Sequence, residues 1–228
     1  MTNARAATTI TVTGQATEKI APDLGAVRLS VGFSSPDRAE VVDSANRAHA
    51  AVIDSVRALP EAEVDSWTSG QLRFWSYRPW NDQGEVKPLQ HEAKAEITVR
   101  FSDFSALSAW VAEITLVEGT TLDGIEWSLR EDTEQRVLEA AQREAVAAAV
   151  RKAEVYAAAL ALGTVTPVEV SDPGLLSPEQ PPFARSAMMS DSLRMSAPGG
   201  SGAQFQPEDL TVEARVNVRF TAGGPAAA

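Results

Sequence analysis

Cysteine is absent from this chain of 228 residues, and histidine and tyrosine occur only twice each. Without thiols there is no disulfide framework, no thiol nucleophile and no thiolate metal site, although the redox compartment stays open. Basic runs are missing too, since none exceeds the pair Arg151-Lys152. With a formal net charge of −11, the surface repels phosphate backbones and anionic lipid, which disfavours nucleic acid and membrane surfaces as partners. No apolar stretch approaches the roughly 20 residues of a membrane span. The first residues run into Ile10 and Val12 without the apolar core of a signal peptide, so a cytoplasmic location is expected.

What is present is ordinary globular material, 44% hydrophobic and 22% charged, in a chain long enough to bury a core without staples. Residues 9–13 are β-branched and predict a short strand stopping at Gly14. Val27, Leu29, Val31 and Phe33 alternate with Arg28, Ser30 and Gly32, a strand with one buried face. Ser35, Pro36 and Asp37 signal a helix start, with Ser35 as cap and Pro36 in the first turn. Val42, Ala45, His49, Ile53 and Val56 then recur at helical spacing as far as Pro60.

Residues 63–80 and 87–102 read as two long strands joined by a turn-rich tip at 79–84, and a helix capped by Ser102 or Asp103 follows. A strand over 122–129 precedes the longest helix, opened by Asp132 or Thr133 and stopped by Gly163. In that helix Ala141, Ala145, Ala149, Ala153, Ala157 and Ala161 recur every four residues. They form a ridge of small side chains that lets a neighbouring layer approach closely. Strands at 165–170 and 211–220 complete the pattern. Between them, residues 172–207 hold six of the thirteen prolines and predict a flexible insert, with 181–195 as a candidate docking peptide.

Ala95–Phe101 and Ala214–Phe220 echo one another and close two units that each read strand, long helix, strand, strand. The expectation is a mixed α/β fold of the α+β class. Two βαββ-like units (26–101 and 122–220) would share a mixed sheet, with the long helices on one face. Residues 9–221 form a single domain in this reading, between a disordered start (1–8) and a disordered tail (222–228).

The ordered set of signposts resembles the SIMPL domain family. It comprises Ile10 to Gly14, Ala21-Pro22-Asp23, Ala45-Asn46, Gly124-Ile125, and the run from Ala145 through Lys152-Ala153 to Gly163. That family includes bacterial periplasmic immunogenic and stress-associated proteins and an animal protein that binds a Pelle-like kinase. The resemblance implies a mixed α/β fold, oligomers among the bacterial members, a stress-associated role and no established catalytic residues. Two features depart from it: most bacterial relatives carry an export signal, and the insert at 172–207 matches no family motif.

Chemistry-bearing residues are few. His49 lies in the apolar seam of the first helix and reads as a partnered, half-buried side chain. His91 beside Glu92 lacks a third ligand at metal spacing. There is no G-x-S-x-G, and no glycine pair sits between a strand and a helix, so no nucleophile elbow or phosphate cradle is indicated. The acidic pairs flank helix ends, where the dipole accounts for them. The expectation is therefore no enzyme, no cofactor and no metal.

The distinctive stretch is 72–80, where Trp75 and Tyr77 share one strand face while Leu72 and Phe74 share the other. A half-solvated strand cannot hide both faces, and interleaved arginines are typical of interface cores. Phe74, Trp75, Tyr77, Arg78 and Trp80 are the candidate contact surface of a non-catalytic oligomeric interaction or scaffold protein, binding itself or another protein. The alternative is a small-ligand domain with an apolar pocket between the Ala-rich helix and the sheet.

Overall fold

The computed structural model describes residues 7–80, 87–175 and 207–223. The insert expected at 172–207, with its docking peptide, lies largely outside these residues. So do the turn-rich tip beyond Trp80 and most of the expected disordered ends. The chain divides into two compact units. One is built from its beginning and its end, the other mainly from Pro22–Leu129.

In the middle unit, β2 (Leu24–Ser35) is followed by α1 (Arg38–Arg57), β3 (Val64–Ser69), β4 (Arg73–Tyr77) and β5 (Gln90–Phe101). Then come α2 (Phe104–Ile114) and β6 (Thr120–Ser128). The sheet order is β3-β5-β2-β6, with β4 pairing the other end of the edge that β3 occupies on β5. Val27, Leu29 and Val31 on β2 and Ile97, Val99 and Phe101 on β5 are inaccessible or nearly so. They pack with Val52, Ile53 and Val56 of α1 and Leu107, Trp110 and Val111 of α2. Each fully buried side chain of this kind contributes roughly 1.5–3 kcal/mol. The Trp110 indole N–H donates to Ser55 Oγ at 3.1 Å, so its one polar atom is satisfied inside the core.

In the other unit, β1 (Thr8–Ile20), α3 (Glu131–Ala159), β7 (Val165–Ser171) and β8 (Leu210–Ala222) form a sheet ordered β1-β8-β7 with α3 on one face. The ridge of alanines is the buried stripe of α3, and Ala141, Ala145, Ala149 and Ala153 are wholly inaccessible. They meet Ile10, Val12, Val216, Val218 and Phe220. No helix among the described residues is long and apolar enough to cross a membrane.

The α+β class holds, while its expected assembly is corrected. The strands form two sheets rather than one shared sheet, every pairing among the described residues is antiparallel, and α1 and α3 lie on different sheets. The strand at 120–128 does not open the second βαββ unit. It pairs with β2, where Ile125 sits opposite Val27, and the opening place is taken by β1, paired along its length with β8. The cause is visible at Gly14. An added Cβ would stand 2.0 Å from the Ala145 carbonyl oxygen and 2.8 Å from Ala149 Cβ, so β1 continues through the glycine and α3 settles against it. Here glycine marks a close approach of two backbones rather than a strand end.

Local boundaries follow similar competitions. Asp37, not Ser35, caps α1, accepting from Ala39 N–H at 2.8 Å, which leaves Pro36 outside the helix. Ser35 instead accepts from Asp37 N–H and donates to Glu40, stabilising the entry. Asp103 caps α2. The long strand expected over 63–80 is broken into β3 and β4 by residues 70–72. The last turn of α3 closes with Leu162 N–H donating to Ala157 and Ala161 N–H to Ala158, so the left-handed position falls on Ala161 (φ 50°) rather than Gly163.

Candidate interaction surface

β4 exists because β5 is longer than β3. Once β3 leaves the edge of β5 after Ser69, residues 90–94 of β5 are left without a neighbour on that side, and Arg73–Tyr77 takes them up in unbroken register. The register fixes which way each side chain faces. Phe74 lies opposite Ala93 and Ser76 opposite His91, on the face covered by α1. Leu72, Val41, Ala45 and Ala93 pack together there. Arg73, Trp75 and Tyr77 lie opposite Lys94, Glu92 and Gln90, on the face away from α1.

Coverage is incomplete on both faces. Phe74, Trp75 and Tyr77 remain 42%, 43% and 42% exposed, and Trp80 remains 83% exposed. The Tyr77 hydroxyl is hydrogen-bonded to Glu92. That bond, the carboxylate's charge and a smaller effect of burial together raise the phenol above its ordinary value near 10. Arg78 donates to the Lys87 carbonyl oxygen at 3.3 Å, tying together the two ends of the arm. All five expected surface residues thus lie on one arm, three on β4 and two just beyond it.

Beside the arm is a cavity of about 80 Å³, lined by Arg38, Val41, Phe74, Ser76 and His91 among others. It has room for only a few waters. Within reach of it, Ser76 Oγ and His91 Nδ1 share a hydrogen bond of 2.7 Å. His49, half-buried on α1, shares one of 2.8 Å with Ser69 Oγ. Each histidine is thus held by a serine of a neighbouring strand. No group of three metal-ligating side chains occurs among the described residues.

The pocket envisaged beneath the Ala-rich helix is closed by contact. With Gly14 against Ala145 and Ala149, and the alanine stripe inaccessible, the space between helix and sheet is filled by the two backbones themselves.

Residues 10–220 match the model of the SIMPL family, described as a protein of unknown function (DUF541). The chain belongs to this family. Comparison with curated proteins returned no match. The SIMPL match takes in both compact units, so the aromatic arm and the glycine-to-alanine contact both lie within the family's span. Its description assigns no activity, and the chemistry of individual residues therefore rests on their geometry.

Sequence reasoning passed over one set of exposed apolar side chains in the terminal unit. Val155 on α3 and Leu160 at its C-terminal cap are largely exposed, and Val168 and Val170 on β7 are more than half exposed. Their only signal was negative. Val155 and Leu160 fall outside the four-residue alanine interval, and the valines of β7 flank Pro167 and a register shift.

Proposed function

We propose that this SIMPL protein is a non-catalytic interaction or scaffold protein that assembles through its aromatic arm, with copies of itself or with another protein. The observation that carries the reading is the exposure of four large aromatic side chains on one short arm of β structure, distributed over both faces of β4 and its continuation. Solitary exposed apolar residues are ordinary, but four aromatic side chains within seven residues, interleaved with Arg73 and Arg78, have the composition of an interface core. Arg78 is already held by the Lys87 carbonyl, so docking would order one rotor-rich side chain fewer.

Binding is the whole mechanism. Burial of Trp75, Tyr77 and Trp80 supplies affinity, and the arginines set the register of approach. Truncating a central interface tryptophan costs about 2 kcal/mol or more, roughly thirtyfold in Kd. Light scattering over a range of concentrations tests this. The wild type is expected at a multiple of its 24.3 kDa mass, and a Trp75→Ala/Trp80→Ala variant at lower mass with unchanged secondary structure. Equal masses for the two proteins would sink the reading.

A further inference from the structure

We infer that the arm's partner is a second copy of this chain, added edge to edge so that β4 pairs antiparallel with β4 about a two-fold axis at Trp75. This rests on the preceding reading and gives it a partner and a register. Three observations converge on it.

The first is the edge itself. β4 pairs with β5 on one side, and no strand among the described residues occupies the other. Sheet edges normally carry devices that discourage pairing, such as proline and bulges. The edge strand β7 has both, Pro167 and a register shift beside it, and β3 has a register shift between Val64 and Ser66. The five residues of β4 contain neither device. Among the described residues β1 also has a neighbour on one side only. There, however, buried side chains alternate with exposed polar ones, so pairing would add backbone bonds without covering apolar surface. On β4 pairing does both, because all five residues are exposed.

The second is self-complementarity. An antiparallel pair centred on Trp75 sets Trp75 against the partner's Trp75, Phe74 against the partner's Ser76 and Arg73 against the partner's Tyr77. Each large side chain thus lies across from a smaller one or from a ring it can stack on. Continuing the count, Trp80 falls across from Gly70 of the other copy. The side chain with the greatest exposure on the arm meets the residue that has none.

The third is charge. Arg73 stands directly opposite Lys94 on its own sheet, a like-charge pair, and makes no ion pair among the described residues. Lys94 is engaged with Glu96 at 3.7 Å. On the other end of the same face, Glu92 stands opposite Trp75, one pair along from Tyr77 and Gln90. Two-fold pairing carries the Arg73 of each copy to Tyr77 and Glu92 of the other, so both contacts form twice, as a two-fold interface requires.

The absence of native cysteine makes the register directly measurable. In the full chain, Trp75→Cys places two thiols on residues directly opposed across the axis, with Cα atoms about 4.5–5.5 Å apart, within disulfide reach. Arg73→Cys places its two copies four residues out of register, about 14 Å apart along the strands. The expected result is rapid disulfide-linked dimer for Trp75→Cys and none for Arg73→Cys alone. Mixing Arg73→Cys with Tyr77→Cys should also give linked dimer. Because Trp75→Cys removes an anchor, a mixture of Phe74→Cys with Ser76→Cys, which keeps Trp75, provides the same test and should also link. Arg73→Glu should weaken assembly at least about tenfold by setting like charges together. If neither Trp75→Cys nor the mixtures link, and assembly is still lost in Trp75→Ala/Trp80→Ala, the two-fold pairing is overturned while the arm remains the contact. A chain monomeric at every concentration overturns both.

Discussion

Replacing Gly14 by alanine adds one methyl group to the face of β1 that α3 covers. Its Cβ would lie 2.0 Å from the Ala145 carbonyl oxygen, 2.7 Å from Ala149 N and 2.8 Å from Ala149 Cβ. None of these atoms belongs to a rotatable side chain. Relief therefore requires the helix to lift by about 1 Å or more, enough to forfeit a quarter to a half of each dispersion contact along the alanine stripe. Overpacking of a close-packed core costs typically 1–3 kcal/mol, and a clash with backbone on both sides puts Gly14→Ala at the upper end, about 3 kcal/mol. For a chain of this length that corresponds to a fall of roughly 6–12 °C in Tm. Thermal and denaturant unfolding measure it. The control is Gly32→Ala, where the nearest atom to an added Cβ is Ala93 O at 3.8 Å, ordinary contact at an exposed strand position. It should stay within about 0.5 kcal/mol of wild type or stabilise slightly. A ligand pocket beneath the helix would reverse the sign, because the methyl would then fill space. Gly14→Ala unfolding within about 0.5 kcal/mol of wild type would refute the close-approach argument.

Two further perturbations probe features that geometry isolates. Ala161 holds the left-handed position closing α3, at φ 50°, where a Cβ costs roughly 1–2 kcal/mol. Ala161→Gly removes that strain and gives back part of it as unfolded-chain entropy, so a net gain of about 0.5–1 kcal/mol is expected in denaturant unfolding, and a loss would refute the strain. At Tyr77, the bond to Glu92 and the carboxylate's charge both favour the neutral phenol, so the folded-state value lies above the unfolded one. The stabilisation is fully present below about pH 10 and is lost as pH rises through the folded-state value. In a Tyr156→Phe background Tyr77 is the only tyrosine, and Glu92→Gln should shift its phenolate absorbance midpoint downward. An unmoved midpoint would show that the pair does not form.

Much of the fold was legible because periodicity reports burial directly. The interval of four along α3 names its buried stripe, and Ala95–Phe101 and Ala214–Phe220 echo one another because β5 and β8 do the same work. Each lies inside its own sheet and presents Ala, a β-branched pair and Phe to a helix. Partnership between strands was not legible. Whether the strand at 120–128 pairs with β2 or opens a second unit depends on contacts made after the chain has doubled back, and alternation along a strand is silent about its neighbour. Gly14 misled for a related reason. The feature that reads locally as a break serves a contact with a helix more than a hundred residues away.

The arm shows the complementary case. Apolar residues on both faces of 72–80 signalled that one layer would not suffice, yet a run of that pattern could equally be a doubly covered core strand. The break at residues 70–72 decides between them. Had β3 run on uninterrupted to Tyr77, the segment would be a continuous edge covered by α1 along its length. Instead Gly70, whose N–H donates to the Glu96 carbonyl at 2.8 Å, keeps the chain on β5 through the gap. β4 is thereby set against the far end of β5, where Leu72 reaches the small cluster of Val41, Ala45 and Ala93 but Phe74 and Trp75 remain half uncovered. A short edge strand with aromatic side chains on both faces and neither proline nor bulge is open to pairing. Its presence here is intelligible if the edge is closed by another strand, and the two-fold count centred on Trp75 supplies one from the same sequence.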